Sequence, residues 1–166
     1  EMASTGEVGC FGEDLDEALL KSLLSTGFRR PQKGVLVAIG NDREKERFVP
    51  YARHLEAMGL ALHATPGTAR VLEAHGVSCA AVHKLSTGKS PSSVDVLTAG
   101  LADLVINVSE TFNETEALDG FTIRRTAVDH GVPLVTNTQL ARALVLALSR
   151  RSDEDLKPLP WSAYKP

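Results

Sequence analysis

Gly34-Val35-Leu36-Val37-Ala38-Ile39-Gly40 is an unbroken run of β-branched and aliphatic residues between two glycines. No polar residue alternates with the apolar ones, so the run reads as a strand buried on both faces. The chain then becomes charged. Phe48, Ala52 and Leu55 recur at helical spacing, and Gly59 supplies a stop. Pro50 suits only a first turn, so this helix is predicted to begin near Glu46. The pattern repeats downstream. Residues 60–64 read as a second strand, Val71, Leu72 and Ala74 as a short helix closed by Gly76, and residues 77–82 as a third strand broken by Ser78. Val94 and Leu97 mark a short helix that ends at Gly100, ahead of a fourth strand at 104–108. Ile123, Ala127 and Val128 give a helix stopped by Gly131. Residues 132–135 form a fifth strand, and Leu140, Leu144 and Leu148 mark the closing helix. Strands that alternate with helices through short loops imply an α/β fold, a parallel sheet of about five strands flanked by helices.

The two ends depart from this alternation. Residues 13–24 read as an amphipathic helix, with Leu15, Leu19, Leu20, Leu23 and Leu24 on one side, and Arg30, Pro31 and Gln32 read as a linker. Residues 150–157 are charged, and Pro158, Pro160 and Trp161 follow. The pattern leaves open whether this tail docks or is unstructured.

Bulk properties narrow the function. With 166 residues and 43% hydrophobic content, the chain has material for one core. A net charge of -3 argues against a nucleic-acid partner, although a small anion needs only a local positive site. Cys10 and Cys79 lie far apart and read as reduced structural thiols. No run spans a bilayer, so no membrane partner is expected. No secretory signal opens the chain. It begins at Glu1 rather than Met, as a piece of a longer protein does. His54, His63, His75, His83 and His130 show no metal-ligand spacing. Gly6 and Gly12 follow no strand and make no nucleotide fingerprint.

In a parallel sheet the ligand sits beyond the carboxyl ends of the strands. Those positions hold Lys45 after the first strand, and Thr65, Gly67 and Thr68 after the second. Lys84 follows the third, and Asn107 and Ser109 close the fourth. Hydroxyls, an amide and ammonium groups around a helix start are what a phosphate requires. Gly67 lets a ligand approach the backbone, and the helix that follows turns its positive end to the same place. Thr68 also reads as a helix cap, and Lys45 as a solvated side chain.

Several segments resemble the C-terminal allosteric domain of the large synthetase subunit of carbamoyl phosphate synthetase. They are the opening 1–8, Ser25-Thr26-Gly27-Phe28 with Pro31 and Gly34, Thr65-Pro66-Gly67-Thr68-Ala69, Leu104-Val105-Ile106-Asn107, Ile123-Arg124-Arg125-Thr126-Ala127-Val128, and Gly131-Val132-Pro133-Leu134. The resemblance runs to about Leu148. It implies a methylglyoxal synthase-like, Rossmann-related fold. It also implies a division into residues 1–31 (the end of a preceding synthetase unit and a linker helix), 32–149 (the effector-binding domain) and 150–166 (a tail).

The role implied is regulatory. The domain senses a small anionic effector and tunes carbamoyl phosphate synthesis for pyrimidine, arginine or urea pathways. The ATP and Mg chemistry belongs to catalytic ATP-grasp units of the same chain, so no cofactor, metal or catalytic residue is expected here. Bacterial members bind UMP or IMP through a pattern matched by Lys45, Thr65, Gly67, Thr68, Lys84, Asn107 and Ser109. Ureotelic animal members bind N-acetylglutamate. That pattern shares Thr65, Thr68 and Asn107, but it wants a Trp at Lys84 and an Asn near each of Glu110 and Gly120. The residues therefore favour a phosphate-bearing effector. The resemblance implies a cytoplasmic protein, or a mitochondrial-matrix one for a urea-cycle type.

Two other readings stay open. One is a methylglyoxal synthase-like lyase, which needs a carboxylate base; residues 85–91 hold no acid before Asp95, and Asp42 and Glu110 are the other candidates. The second is a structural domain used for oligomer contacts.

Overall fold

The computed structural model describes residues 7–109 and 114–164. In chain order the elements are α1 (Leu15–Ser25), β1 (Gly34–Ile39), α2 (Asp42–Ala57), β2 (Ala61–Ala64), α3 (Pro66–Ala74), β3 (Ala80–Ala81), α4 (Ser93–Thr98), β4 (Leu104–Val108), α5 (Glu114–Asp129), β5 (Leu134–Val135) and α6 (Thr138–Arg150). Two compact units result. Pro31–Arg142 forms one, and Glu1–Arg30 with Ala143–Pro166 the other.

The five strands of Pro31–Arg142 form one all-parallel sheet in the order β3-β2-β1-β4-β5. The chain steps outward from β1 to β3, then returns to the far side of β1 for β4. All six residues of β1 are buried, as its uninterrupted apolar run requires when helices cover both faces. Leu36 and Ala38 join Val82, Val96, Leu97, Ala102, Val105, Ile123 and Ala127 in one core cluster. The alternate residues Val35, Val37 and Ile39 are buried as well and point to the opposite face. α2 and α3 pack on β1 and β2, and α5 packs on β4 and β5. Gly59 (φ 79°) and Gly131 (φ 63°) close α2 and α5 in the left-handed conformation, which only glycine adopts freely.

Three elements differ from the sequence reading. α2 starts at Asp42, not near Glu46, and holds Pro50 in its interior. The Asn41 side chain accepts the Glu44 N–H at 3.1 Å and caps the helix early. Pro50 is exposed, so the Glu46 carbonyl that loses its N–H donor lies on the solvent side. β3 shrinks from residues 77–82 to Ala80–Ala81, because the Ser78 N–H donates to the Glu56 carboxylate (2.9 Å) instead of to a ladder. β5 shrinks from 132–135 to Leu134–Val135. Pro133 has no N–H to donate, although its carbonyl accepts from Val105 N (2.8 Å).

Asp103 fixes the entry to β1. Its carboxylate accepts from the backbone N–H groups of Gln32 (2.7 Å), Lys33 (3.1 Å) and Gly34 (3.1 Å). Asp103→Ala leaves these donors to water at the edge of the central strand. We expect a loss of about 1–2 kcal/mol, read as a lower urea midpoint at unchanged slope.

In the other unit, α1 begins at Leu15 under an Asp14 cap. Leu15 is exposed and Leu20 is fully buried, so the apolar stripe is narrower than the leucine spacing predicts. The C-terminal tail is docked within this unit. Lys21 Nζ donates to the Tyr164 hydroxyl (2.8 Å), and the Tyr164 ring lies 5.9 Å from that of Phe11. Arg30 bonds the Arg151 carbonyl (2.7 Å) and pairs with Asp153. Among the described residues no helix is long and apolar enough to cross a membrane.

Candidate functional site

β1 and β4 are neighbours whose following connections run to opposite sides of the sheet. Such a switch point leaves a crevice beyond the strand ends. Here a cavity of about 120 Å³ opens at that place, between the ends of β1 (Ala38, Ile39, Gly40) and β4 (Asn107, Val108, Ser109). On the same measure a single water needs roughly 10–15 Å³, so a small anion fits.

Six of the seven residues read from the sequence line this cavity: Lys45, Thr65, Gly67, Lys84, Asn107 and Ser109. Lys45 comes from the first turn of α2 and is 8% exposed. Its ammonium reaches the Asp42 carboxylate at 2.7 Å, yet the Asp42 side chain is 84% exposed. The hydrogen bond from Lys45 and its charge hold the Asp42 carboxyl below the usual carboxylate range. A Cβ on Gly67 would lie 3.3 Å from Lys45 Nζ, so the missing side chain admits the ammonium to the start of α3. No side chain caps α3, and Pro66 occupies its first turn. The amino end of α3 is therefore available to an anion together with Lys45.

Thr68 does not line the cavity. It is 1% exposed, and its hydroxyl lies within hydrogen-bonding distance of Ile39 N (3.2 Å), Ile39 O (3.3 Å) and Thr65 Oγ1 (3.3 Å). It ties the end of β1 to α3 and stands directly behind Thr65.

α5 supplies residues that the sequence reading missed. Arg124 Nη1 donates to Asn107 Oδ1 (2.8 Å) and to Ser109 Oγ. With its carbonyl oxygen so engaged, the 3% exposed Asn107 keeps its NH2 group as donor, 3.5 Å from Ala38 O. Gly120 makes room for this knot, since a Cβ there would lie 2.5 Å from Ser109 Oγ and 3.1 Å from Arg124 Nη1. Asp119 also lines the cavity. It is 8% exposed and accepts from Ser86 N (3.0 Å) and Ser86 Oγ (2.7 Å), which fastens the loop carrying Lys84. No spacing rule links Asp119 or Arg124 to the strand ends. Only the packing of α5 on β4 brings them there.

Of the acids weighed from sequence, Asp95 forms a capping box with Ser92 at the start of α4. Backbone and hydroxyl donation from Ser92 and Ser90 hold its carboxyl low. Glu110 lies outside the described residues, as does the opening 1–6. Among the described residues no group of three or more His, Cys, Asp or Glu side chains is arranged to hold a metal. Cys10 and Cys79 are free thiols, and burial pushes the Cys79 thiol up.

The sheet order and its cavity define a doubly wound α/β domain with a pocket at the switch point. Residues 47–136 match the MGS-like domain family, and the chain belongs to that family. It is 42% identical over 164 residues to the mitochondrial carbamoyl-phosphate synthase [ammonia] of Homo sapiens, covering 96% of this chain and 11% of that protein. It is 40% identical over 164 residues to the multifunctional protein pyr-3 of Neurospora crassa, covering 94% of this chain and 9% of the relative. The multifunctional protein URA2 of Saccharomyces cerevisiae is 41% identical over 165 residues, 94% of this chain and 8% of its own length. The chain thus spans about a tenth of the curated relatives it matches. Among solved structures, the methylglyoxal synthase of Elizabethkingia anophelis NUHP1 superposes with a TM-score of 0.52 at 16% identity, over 70% of this chain and 82% of that one. That likeness is one of fold.

Proposed function

We propose that this MGS-like domain binds a small phosphate-bearing effector in the cavity beyond β1 and β4. Through that binding it tunes carbamoyl phosphate synthesis by a longer chain, whose ATP-grasp units carry the ATP and Mg chemistry. One observation supports the reading above the others. Lys45 and Lys84, from different elements, converge with Thr65, Asn107 and the uncapped start of α3 on a single cavity. Neighbouring cations and oriented backbone donors give an anion both charge and direction. Asp119 fits a ligand that carries a hydroxyl or N–H besides its anionic group, as nucleoside monophosphates do. The relatives named for carbamoyl-phosphate synthase supply the link to that reaction.

Calorimetric titration with UMP, IMP and N-acetylglutamate tests the proposal. Heat is expected with a nucleotide and little with N-acetylglutamate. Heat with N-acetylglutamate alone would replace the phosphate reading by a carboxylate one, and silence from all three would leave a structural domain. A lyase requires a carboxylate positioned to take a carbon-bound proton; Asp119 is the carboxylate that lines the cavity. The regulatory reading expects no methylglyoxal from dihydroxyacetone phosphate, and clear turnover would overturn it.

A further inference from the structure

Glu44 precedes Lys45 in the first turn of α2 and gathers several donors. Its Oε2 accepts from Arg142 Nη2 at 2.5 Å, and its Oε1 accepts from Arg47 Nη1 at 2.9 Å. Thr138 and Arg142 lie in the first turns of α6. Burial by itself would raise the Glu44 carboxyl, but the hydrogen bonds from Thr138 and Arg47 and the charges of Arg142 and Arg47 outweigh it and hold the group low. Glu44 is thus ionised whenever the site operates.

Arg142 is incompletely satisfied. Its Nε is buried with no hydrogen-bond partner, while the guanidinium lies 5.9 Å from the centre of the Tyr51 ring. A buried N–H without an acceptor is unfavourable. A guanidinium is shaped to make two parallel bonds, through Nε and Nη2, to a single carboxylate. Glu44 already holds Nη2, so half of that fork is in place, while Nε has no partner.

We propose that the first turns of α6 have two positions on Glu44, one with the single Nη2 bond and one with the complete fork, and that an anion in the cavity selects the second. The inference rests on the anion-site reading above. The Lys45 ammonium stands in the cavity and pairs there with the exposed Asp42. An anion in the cavity competes with Asp42 for that ammonium and loosens the pair. Glu44 is the adjacent residue of the same capped turn and shifts with it, which re-registers its carboxylate against Arg142. α6 continues to Arg150, and from Ala143 onward it belongs to the other compact unit. A change in its first turns is therefore carried along a helix out of the ligand-binding unit. Each position has its own hydrogen-bond set, as a two-state element must if a ligand is to bias it.

Arg142→Lys keeps the charge but cannot make the fork. Inorganic phosphate and UMP are titrated into wild type and variant, with amide hydrogen exchange followed along α6. We expect wild type to bind and to slow exchange in α6. The variant should bind roughly 5-fold more weakly or worse, because coupling is reciprocal, although Arg142 does not line the cavity, and its α6 exchange should not respond. Equal binding with an unchanged α6 response overturns the relay and leaves the anion site standing. If neither probe binds wild type, the anion site falls and the relay with it. A crystal structure of wild type with phosphate is independent of how the variant folds. Arg142 Nε within about 3.2 Å of Glu44 is expected, and an Nε left unpartnered or bound to water overturns the relay.

Discussion

Lys45→Ala is expected to weaken phosphate or UMP binding by roughly 10- to 100-fold, because a hydrogen bond to a charged group contributes about 1.5–3 kcal/mol. The same substitution should leave the thermal midpoint of the unliganded domain unchanged or slightly higher. The two measurements separate because Lys45 is poorly placed for stability. It stands in the first turn of α2, and its ammonium points at the uncapped start of α3. Cations at helix amino ends are unfavourable by about 0.3–1 kcal/mol. Its carboxylate partner Asp42 is 84% exposed at its side chain and three residues away on the same helix. Such an exposed pair adds little to stability. A mostly buried lysine with so little structural return fits a site for an anion. Calorimetry and a thermal melt on the same sample check both halves. A large drop in stability, with binding unchanged, would make Lys45 a structural residue.

The strands were legible because burial on both faces writes itself as an uninterrupted apolar run. Val35 to Ile39, in the central strand, is such a run, and Leu104 to Val108, in the strand beside it, is interrupted only by Asn107. Their ends locate the cavity, so residues on or just past a strand, such as Lys45, Thr65 and Asn107, could be found by position alone. Three kinds of feature could not. The start of α2 depended on the Asn41 cap outweighing Pro50, a balance of two local terms that spacing does not weigh. The role of Thr68 depended on where its hydroxyl turned, toward the backbone of Ile39 and not into the cavity. Asp119, Gly120 and Arg124 are one to three turns into a helix, and nothing in their spacing announces the end of β4. They are recognisable only through Gly120, where a close approach requires a residue without a side chain. The short β3 and β5 show the converse effect. Their apolar residues are present, but the Ser78 N–H is taken by Glu56 and Pro133 has no N–H to give to the ladder.

Leu36→Ala is expected to cost about 2–5 kcal/mol, a large share of the roughly 5–15 kcal/mol that stabilises an ordinary domain. The thermal midpoint should fall by roughly 10 °C. Leu36 is fully buried at the middle of β1 and touches the cluster that joins β1, α4, β4 and α5, so no side chain can move to fill the gap without disturbing two layers. Ala38 and Ile123 belong to that same cluster and also line the cavity. The floor of the site is therefore the top of the core, while its cations come from α2 and the loop holding Lys84, and its backbone donors from the start of α3. If binding is carried by charge and backbone donors, as the Lys45 argument requires, the folded fraction of Leu36→Ala retains its affinity. Saturating ligand then raises its midpoint about as much as it raises that of wild type, since both gain RT ln(1 + [L]/Kd). A melt with and without UMP decides the matter. If the ligand response vanished along with the stability, the shape of the apolar floor would be what binds, and Lys45 and Lys84 would only attract the ligand to it.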